Sequence, residues 1–300
     1  MTTYETTIRQ LITGSNDEII KFFRQKRLLK SKFKCTSCHE NMKIVYCTNV
    51  KDKQVFRCNN KECIKIQTTR SIRSESFFQD FNISFSDILE LIYRFSKEER
   101  ISRIMKDLSL SKNTVIGFFQ KIRSLCTKFL VDNPINVGGD GVIVQIDESC
   151  FSQQPKYHKG RNAEQEIWVF GLVDTSFIPV RGYMQIVENR KKETLLPIIE
   201  SVCLEGSIIH SDQWPAYKMI QSDLEFKHGT VNHKVEFVNK QTGVHTQHVE
   251  SFWAKQKQRG KEMKGIRRDY LQSYLNEYMW RDSFDGDYFE KTIQLIKLFA

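Results

Sequence analysis

The sequence predicts an α/β protein in two parts, a basic amino-terminal half built on a cysteine-stapled module and a helical unit, followed by a mixed sheet-and-helix domain. Three observations predict it. Four cysteines fall in two pairs between positions 35 and 63, apolar residues keep a helical period from 84 to 130, and beyond 141 short β-rich runs alternate with helical segments. At 300 residues, 40% hydrophobic and 27% charged with 14 Gly and 5 Pro, the chain has a folded protein's composition and is neither collagen-like nor low-complexity. Its net charge is +10, and the excess is local: residues 1–140 hold 25 basic and 15 acidic side chains, and the rest hold 21 of each. That imbalance should draw the first half to a polyanion.

No apolar run reaches the roughly 18 residues of a membrane-spanning helix, and Met1 to Gln10 lacks the apolar stretch of a secretory leader. The expectation is an intracellular protein without membrane contact. Its eight cysteines are then thiols or metal ligands rather than bridges.

Residues 1–30 read as an N-terminal helical segment, with an amphipathic helix from Asp17 to Leu28 and apolar positions Ile19, Ile20, Phe22 and Phe23. Residues 31–78 change to short β-prone pieces, Lys43 to Cys47 and Gln54 to Arg57, punctuated by Cys35-x2-Cys38 and Cys58-x4-Cys63. Two thiol pairs supply the four soft ligands of tetrahedral Zn²⁺, and a closed four-thiolate shell makes such an ion structural. This is a zinc-ribbon-like module; Cys47, Cys126, Cys150 and Cys203 stand apart from it.

Residues 84–131 hold three helical stripes: Ile88, Leu91, Ile92 and Phe95; then Ile101, Ile104, Met105 and Leu108; then Val115, Phe118, Phe119 and Ile122. The break Ser109-Leu110-Ser111 between the last two has helix-turn-helix spacing, in which the second helix enters the DNA major groove. Lys112, Asn113 and Thr114 would then meet base edges and phosphates, with Lys121, Arg123 and Lys128 extending the basic face. A plain three-helix bundle with a solvated charged face has the same pattern. The local charge excess favours DNA, because phosphate neutralisation dominates sequence-independent binding.

Asp132 to Gly141 is the one Gly/Pro/Asn-rich linker. Beyond it come strands at Val142 to Asp147, Ile167 to Asp174 and Ile178 to Val187, and a helix from Lys191 to Cys203. A strand at Ser207 to Asp212, a helix at Pro215 to Gln221, a strand at Phe226 to Val231 and a helix at Thr246 to Arg259 follow. The order β-β-β-α-β-α-β-α is that of the ribonuclease H-like fold, assigned to residues 141–285, with 286–300 as a C-terminal helix.

Two of these strands end in a carboxylate. Asp147 closes VIVQID and Asp212 closes SIIHSD; if the strands are neighbours, the two side chains converge. Glu148 follows Asp147 but faces the other way, so only one of the pair can join a common site. Glu250 flanks the stripe Val249, Phe252, Trp253 and Gln256 and can lean over the sheet edge. Three hard oxygen ligands suit Mg²⁺ or Mn²⁺, and a two-ion arrangement stabilises the attacking and leaving oxygens of an in-line displacement at phosphorus. His233, His245 and His248 gather nearby, His245 being the best placed to position phosphate or water.

These residues resemble the Merlin superfamily of cut-and-paste DNA transposases and its bacterial insertion-sequence relatives with an ISXO-like domain. The resemblance rests on IDES at 146–149, KYHKGR at 156–161, WVFGLVD at 168–174, NRKKETLLPII at 189–199, SDQWPAY at 211–217, TVNHKVEFVNKQTGVHTQHVESFW at 230–253 and YMWR at 278–281. The cysteine pairs and RSIRSESFF at 70–78 extend it to roughly residues 30–285. It implies a DDE triad at Asp147, Asp212 and Glu250, supported by Arg161, Arg190, Trp214, Tyr217, Asn232, His233, His245, Trp253 and Lys257. Lys257, on the face of Glu250, would neutralise a phosphate near the ions.

Gln247 stands where the family usually has Asn, and Val249 where it has Ile; both swaps keep chemical character. The implied activity is binding of terminal inverted repeats through residues 1–130, then metal-dependent cleavage and strand transfer into target DNA. A homo-oligomer on double-stranded DNA is implied, nuclear in a eukaryotic host. The alternatives are a domesticated, transposon-derived DNA-binding protein without nuclease activity, and a nuclease that hydrolyses without joining.

Overall fold

A computed structural model describes residues 3–151, 166–263 and 266–298, which divide into two compact units, Met1–Leu125 with Gly286–Ala300, and Cys126–Asp285. The first unit opens with α1 (Thr3–Ile12) and α2 (Asn16–Gln25). Ser15 and Glu18 form a capping box that satisfies α2's first N–H groups, and the helix buries Ile19, Ile20 and Phe23. The ribbon is an antiparallel sheet of β1 (Lys43–Tyr46), β2 (Gln54–Arg57) and β3 (Thr69–Ser71), in that order. β1 and β2 are the pieces expected from sequence.

Behind the ribbon, Arg73 is 6% exposed and reaches the Asp52 carboxylate and the carbonyls of Phe81 and Ile83. This fastens the RSIRSESFF segment, whose Phe77 and Phe78 pack with Phe23, Phe85 and Phe118. Next come α3 (Phe85–Ser96), α4 (Ile101–Leu108) and α5 (Lys112–Asp132). Ser109 takes a left-handed conformation with φ 52° to end α4, and Ser111 Oγ accepts the Thr114 N–H at the start of α5. The α5 helix runs past the unit boundary at Leu125.

The second unit begins with β4 (Val137–Gly138), β5 (Ile143–Cys150), β6 (Trp168–Asp174), β7 (Arg181–Val187), α6 (Lys192–Val202), β8 (Cys203–Leu204) and β9 (Ile208–Asp212). A 3₁₀ turn at Pro215–Met219 leads to α7 (Ile220–Asp223), β10 (Lys227–Val231), α8 (Gln247–Glu262) and α9 (Leu271–Asp282). The final helix, α10 (Tyr288–Lys297), falls in the stretch 286–300 read as a C-terminal helix; it belongs to the first unit and packs on α3 through Phe289 and Tyr93.

Five strands make the main sheet in the order β10-β9-β5-β6-β7. β5, β6 and β7 are antiparallel neighbours joined in sequence, while β9 lies parallel to β5 and β10 parallel to β9. Alternation assigns the two faces. Val144, Ile146, Phe170 and Leu172 pack with Leu195, Ile199, Tyr217 and Ile220, while Val169, Val173 and Met184 pack with Val249, Phe252, Trp253, Leu275 and Tyr278. Helices therefore cover both faces. Gly171 is required for this: a Cβ there would lie 2.4 Å from Trp253 Cζ2, so only a glycine lets α8 settle onto β6.

Several boundaries differ from the sequence reading. β5 runs on to Cys150, so Asp147 lies within the strand and does not close it as expected. The third strand starts at Arg181 rather than Ile178, because Pro179 has no N–H for the ladder. The helix expected at Pro215 to Gln221 is a 3₁₀ turn followed by one short helical turn.

Candidate active site and cysteine centre

The last ladder pair between β5 and β9 is Gln145↔His210, two residues before Asp147 and Asp212. Asp212 thus ends β9, while Asp147 lies within β5, just past the point where its ladder with β9 stops and three residues before its pairing with β6 ends. Asp147 is opposite Gly171 on β6, which puts it on the face covered by α8. α8 brings Glu250 to that side.

Glu250 Oε1 accepts from Thr246 Oγ1 at 3.1 Å and lies 3.5 Å from His233 Nε2, itself 2.8 Å from Thr246 Oγ1. Asp212 Oδ1 accepts the Trp214 N–H at 2.8 Å, a tight turn that fixes the carboxylate just past its strand.

Electrostatics ties the three acids together. Burial, then the charges of Glu148, Asp212 and Glu250, push the Asp147 carboxyl up to about 7. Among the described residues, only Cys35, Cys38, Cys58 and Cys63 bring three or more ligand atoms within 4.8 Å of one another, so the acids stand wider than that.

Glu148 lies on the opposite face of β5, paired with Phe170. It is pushed up to about 7 by burial and by Asp212, against the Tyr217 hydroxyl and Arg190, which favour its charged form. The Tyr217 hydroxyl is buried without completing a well-aligned hydrogen bond, as is Glu148 Oε1. The expectation that only one of the two acids faces α8 holds, yet Asp212 feels both.

Around this crevice the Arg190 guanidinium is held between two indoles, 3.8 Å from the Trp168 ring centre and 4.3 Å from that of Trp214, whose Nε1 donates to the Arg190 carbonyl. Lys257 is half-buried beside Phe151, 5.7 Å from the ring centre. Asn232 Oδ1 accepts the Lys234 N–H and shapes the turn after β10. Arg161, with its KYHKGR segment, lies outside the described residues.

His245 sits within the site. Its Nδ1 is 3.3 Å from Gln145 Nε2, and burial with the neighbouring His248 lowers its pKa while Glu250 opposes the change. His248 is exposed, 5.3 Å from the His245 ring.

The sequence reading missed Gln145. It is 1% exposed, and its Oε1 accepts the N–H groups of His248 and Val249 at 2.9 and 3.1 Å. It thereby supplies the cap that Thr246 does not give α8, one turn before Glu250. A polar residue at the inward i−2 position of an otherwise apolar strand was the available signal.

In the first unit, Cys35 and Cys63 Sγ are 3.8 Å apart and Cys38 and Cys58 Sγ 3.7 Å apart. A tetrahedron with Zn–S bonds of about 2.3 Å has edges of about 3.8 Å, so the donor set fits zinc. Backbone N–H groups of Cys38 and Ser37 pull the Cys35 thiol down to about 6, while burial pushes Cys63 up to about 12.

Of the side chains expected on DNA, Lys112 and Asn113 are exposed at the start of α5, while Thr114 bonds with Ser111. Lys121 turns inward, 2.7 Å from Asp80 and over the rings of Phe77 and Phe81. Arg123 is 2% exposed and lies within the unit's interior, a correction to its expected place on the basic face. Its position on the apolar stripe beside Ile122, Leu125 and Cys126 draws it inward.

Several known proteins are similar to this chain. A relative from Haemophilus influenzae, described as an uncharacterized transposase-like protein, is 28% identical over 115 residues, covering 38% of this chain and 89% of the relative. Among solved structures, the Mos1 strand transfer complex is similar at 11% identity with a TM-score of 0.30, covering 71% of this chain and 75% of that one. A simian T-cell lymphotropic virus intasome in complex with PP2A regulatory subunit B56 gamma is similar at 14% identity with a TM-score of 0.30, covering 63% of this chain and 66% of that one. The family profile of the ISXO2-like transposase domain matches residues 136–283, a stretch that takes in β5, β9 and α8 with their three carboxylates.

Proposed function

We propose that the protein is a DDE-type DNA transposase, related to Merlin elements, that binds terminal inverted repeats and catalyses metal-dependent DNA cleavage and strand transfer. One observation carries the reading. Asp147, Asp212 and Glu250, 65 and 38 residues apart in the chain, share one electrostatic field just beyond the last ladder pair of β5 and β9, within the stretch that matches the ISXO2-like transposase domain. Strand order and directions in the main sheet, three antiparallel strands flanked by two parallel ones, support assigning it to the ribonuclease H-like fold.

The three acids, an all-oxygen set, suit Mg²⁺ or Mn²⁺. Such ions, when bound, supply Lewis acidity for water attack on a phosphodiester and for later attack by the freed 3′-hydroxyl. The chain's own groups prepare the site. Trp214's N–H holds one oxygen of Asp212 and Thr246 one oxygen of Glu250, so each acid is oriented before any ligand arrives. Gln145 fixes the start of α8, His233 and His245 line the approach to Glu250, and Arg190 is stiffened by its two indoles for a nearby phosphate. Lys257 offers a second positive charge.

DNA-end recognition falls to the first unit, where α4 and α5 act as a helix-turn-helix with Lys112 and Asn113 leading, and the cysteine centre holds a structural zinc. The working form is a homo-oligomer on double-stranded DNA, nuclear in a eukaryotic host.

The test is a nicking and joining assay on duplexes carrying the element's own ends. Mg²⁺- or Mn²⁺-dependent nicking that falls at least a hundredfold in Asp147→Asn, Asp212→Asn and Glu250→Gln is expected. Wild-type cleavage retained in Asp147→Asn overturns the site; end binding without any metal-stimulated nicking favours the domesticated DNA-binding protein.

A further inference from the structure

We infer that the zinc-ribbon module is itself a phosphate-reading surface, with Lys43 and Arg57 gripping the backbone of duplex DNA between them. The inference rests on the transposase reading for its ligand, and on the ribbon's own charge pattern for its location. Antiparallel register puts Lys43 on β1 directly opposite Arg57 on β2, the two side chains on one face of the sheet. Directly opposed like charges destabilise a strand pair. Such a pair persists cheaply only where an anion offsets it.

No group of the protein does so. Among the described residues neither side chain makes an ion pair or a side-chain hydrogen bond, and Arg57 Nε is buried without an acceptor. A phosphate oxygen would offer the charged guanidinium head an acceptor that no described residue supplies.

The surroundings are cationic in the same sense. Residues 31–78 contain ten basic and four acidic side chains, a net +6. Asp52 is consumed by Arg73, and Glu75 by Lys30 and Arg70. Glu40 and Glu62 alone remain against Lys32, Lys34, Lys43, Lys51, Lys53, Arg57, Lys61 and Lys65, and none of these forms an ion pair among the described residues.

The helical unit is different. Arg94 is enclosed by Glu90, Glu99 and Asp107, Arg103 lies against Glu99 and Asp107, Lys121 meets Asp80 and Arg123 is buried. Among the described residues Arg100, Lys106, Lys112 and Lys128 remain there without an ion pair, half as many as on the ribbon, so free positive charge is denser on the ribbon. Phosphate contact of this type positions the protein and carries no sequence information.

The experiment measures binding of the zinc-loaded full-length chain to two short labelled duplexes, one with the element's end sequence and one unrelated, across a salt series. The double variant Lys43→Gln/Arg57→Gln should bind both duplexes about tenfold more weakly and lower the salt slope by about 1 to 2. Lys106→Gln on α4, a comparison with the helical unit, should change the slope by less. Unaltered zinc content and an unchanged or raised melting temperature show that the double variant folds, since it removes a repulsion. Equal affinity and slope in wild type and double variant overturn the ribbon inference and leave the transposase reading intact. A wild-type chain that binds neither duplex overturns both.

Discussion

At the scale of single residues, the candidate site is defined by a charge conflict. Asp147 has its carboxyl raised to about 7 by burial and by Glu148, Asp212 and Glu250. A raised acid stabilises the fold fully below its unfolded value near 3.8, and loses that contribution as pH rises through the folded value. Native protein free of divalent metal should thus lose stability between pH 4 and 8, and Asp147→Asn should lose less, the share due to the raised Glu148 remaining. At pH 8 the variant is expected to melt roughly 3–6 °C higher, the gap closing toward pH 4. Added Mg²⁺ should raise the melting temperature of the native chain and not that of the variant. Parallel melting curves for the two proteins across this range would remove the carboxylate conflict. Gln145 shows what a residue-by-residue reading of the sequence misses. Its side-chain carbonyl caps the start of a helix more than a hundred positions away, so its polar character at an inward strand position could flag it while the role itself could not be read locally.

At the scale of elements, most of the second unit was legible because local signals and tertiary demands coincide. VIVQID and WVFGLVD are β-rich runs bounded by turns, and the Val249, Phe252, Trp253, Gln256 stripe is buried as its spacing predicts. What was not legible depends on partners. Arg123 sits on an amphipathic helix at a position read as solvent-facing, and the surrounding core decides otherwise. The charge of Lys121 is satisfied by Asp80 from a different segment, which spacing along α5 cannot reveal. Gly171 belongs to the same class, since only the approach of Trp253 explains it. Gly171→Ala places a methyl carbon 2.4 Å from Trp253 Cζ2, and α8 must move to admit it. Overpacking of this kind costs about 1–3 kcal/mol. Because α8 carries Glu250, DNA nicking should fall more than DNA binding. Trp253→Phe shortens the ring at the point of collision, so adding it to Gly171→Ala should recover part of both losses, a coupling read from a double-mutant cycle in melting temperature and nicking rate. Strictly additive effects would mean that the glycine is not there for the indole.

At the scale of the whole molecule, the two units rely on different sources of stability. The second owes its order to two apolar layers, one against each face of a five-stranded sheet. The first adds a four-cysteine centre, whose sulfurs already stand at tetrahedral edge distances, to a core of stacked phenylalanines. Structural zinc contributes about 10–16 kcal/mol in finger peptides, as much as the entire stability of a typical domain, about 5–15 kcal/mol. Loss of the ion should therefore be felt throughout the ribbon and scarcely in the sheet domain. Stripping zinc with a chelator, or replacing Cys38 with Ser, is expected to lower the first of two melting transitions and leave the second within a degree or two. Limited proteolysis of the metal-free chain should then cut within residues 31–78 while a fragment spanning 126–285 resists. Non-specific duplex binding should weaken in step with ribbon cleavage, because the uncompensated lysines of that module would lose their common frame. One cooperative transition, shifted as a whole by the chelator, would instead make the two units a single folding entity, with the cysteine centre supporting the carboxylate site as well as the ribbon.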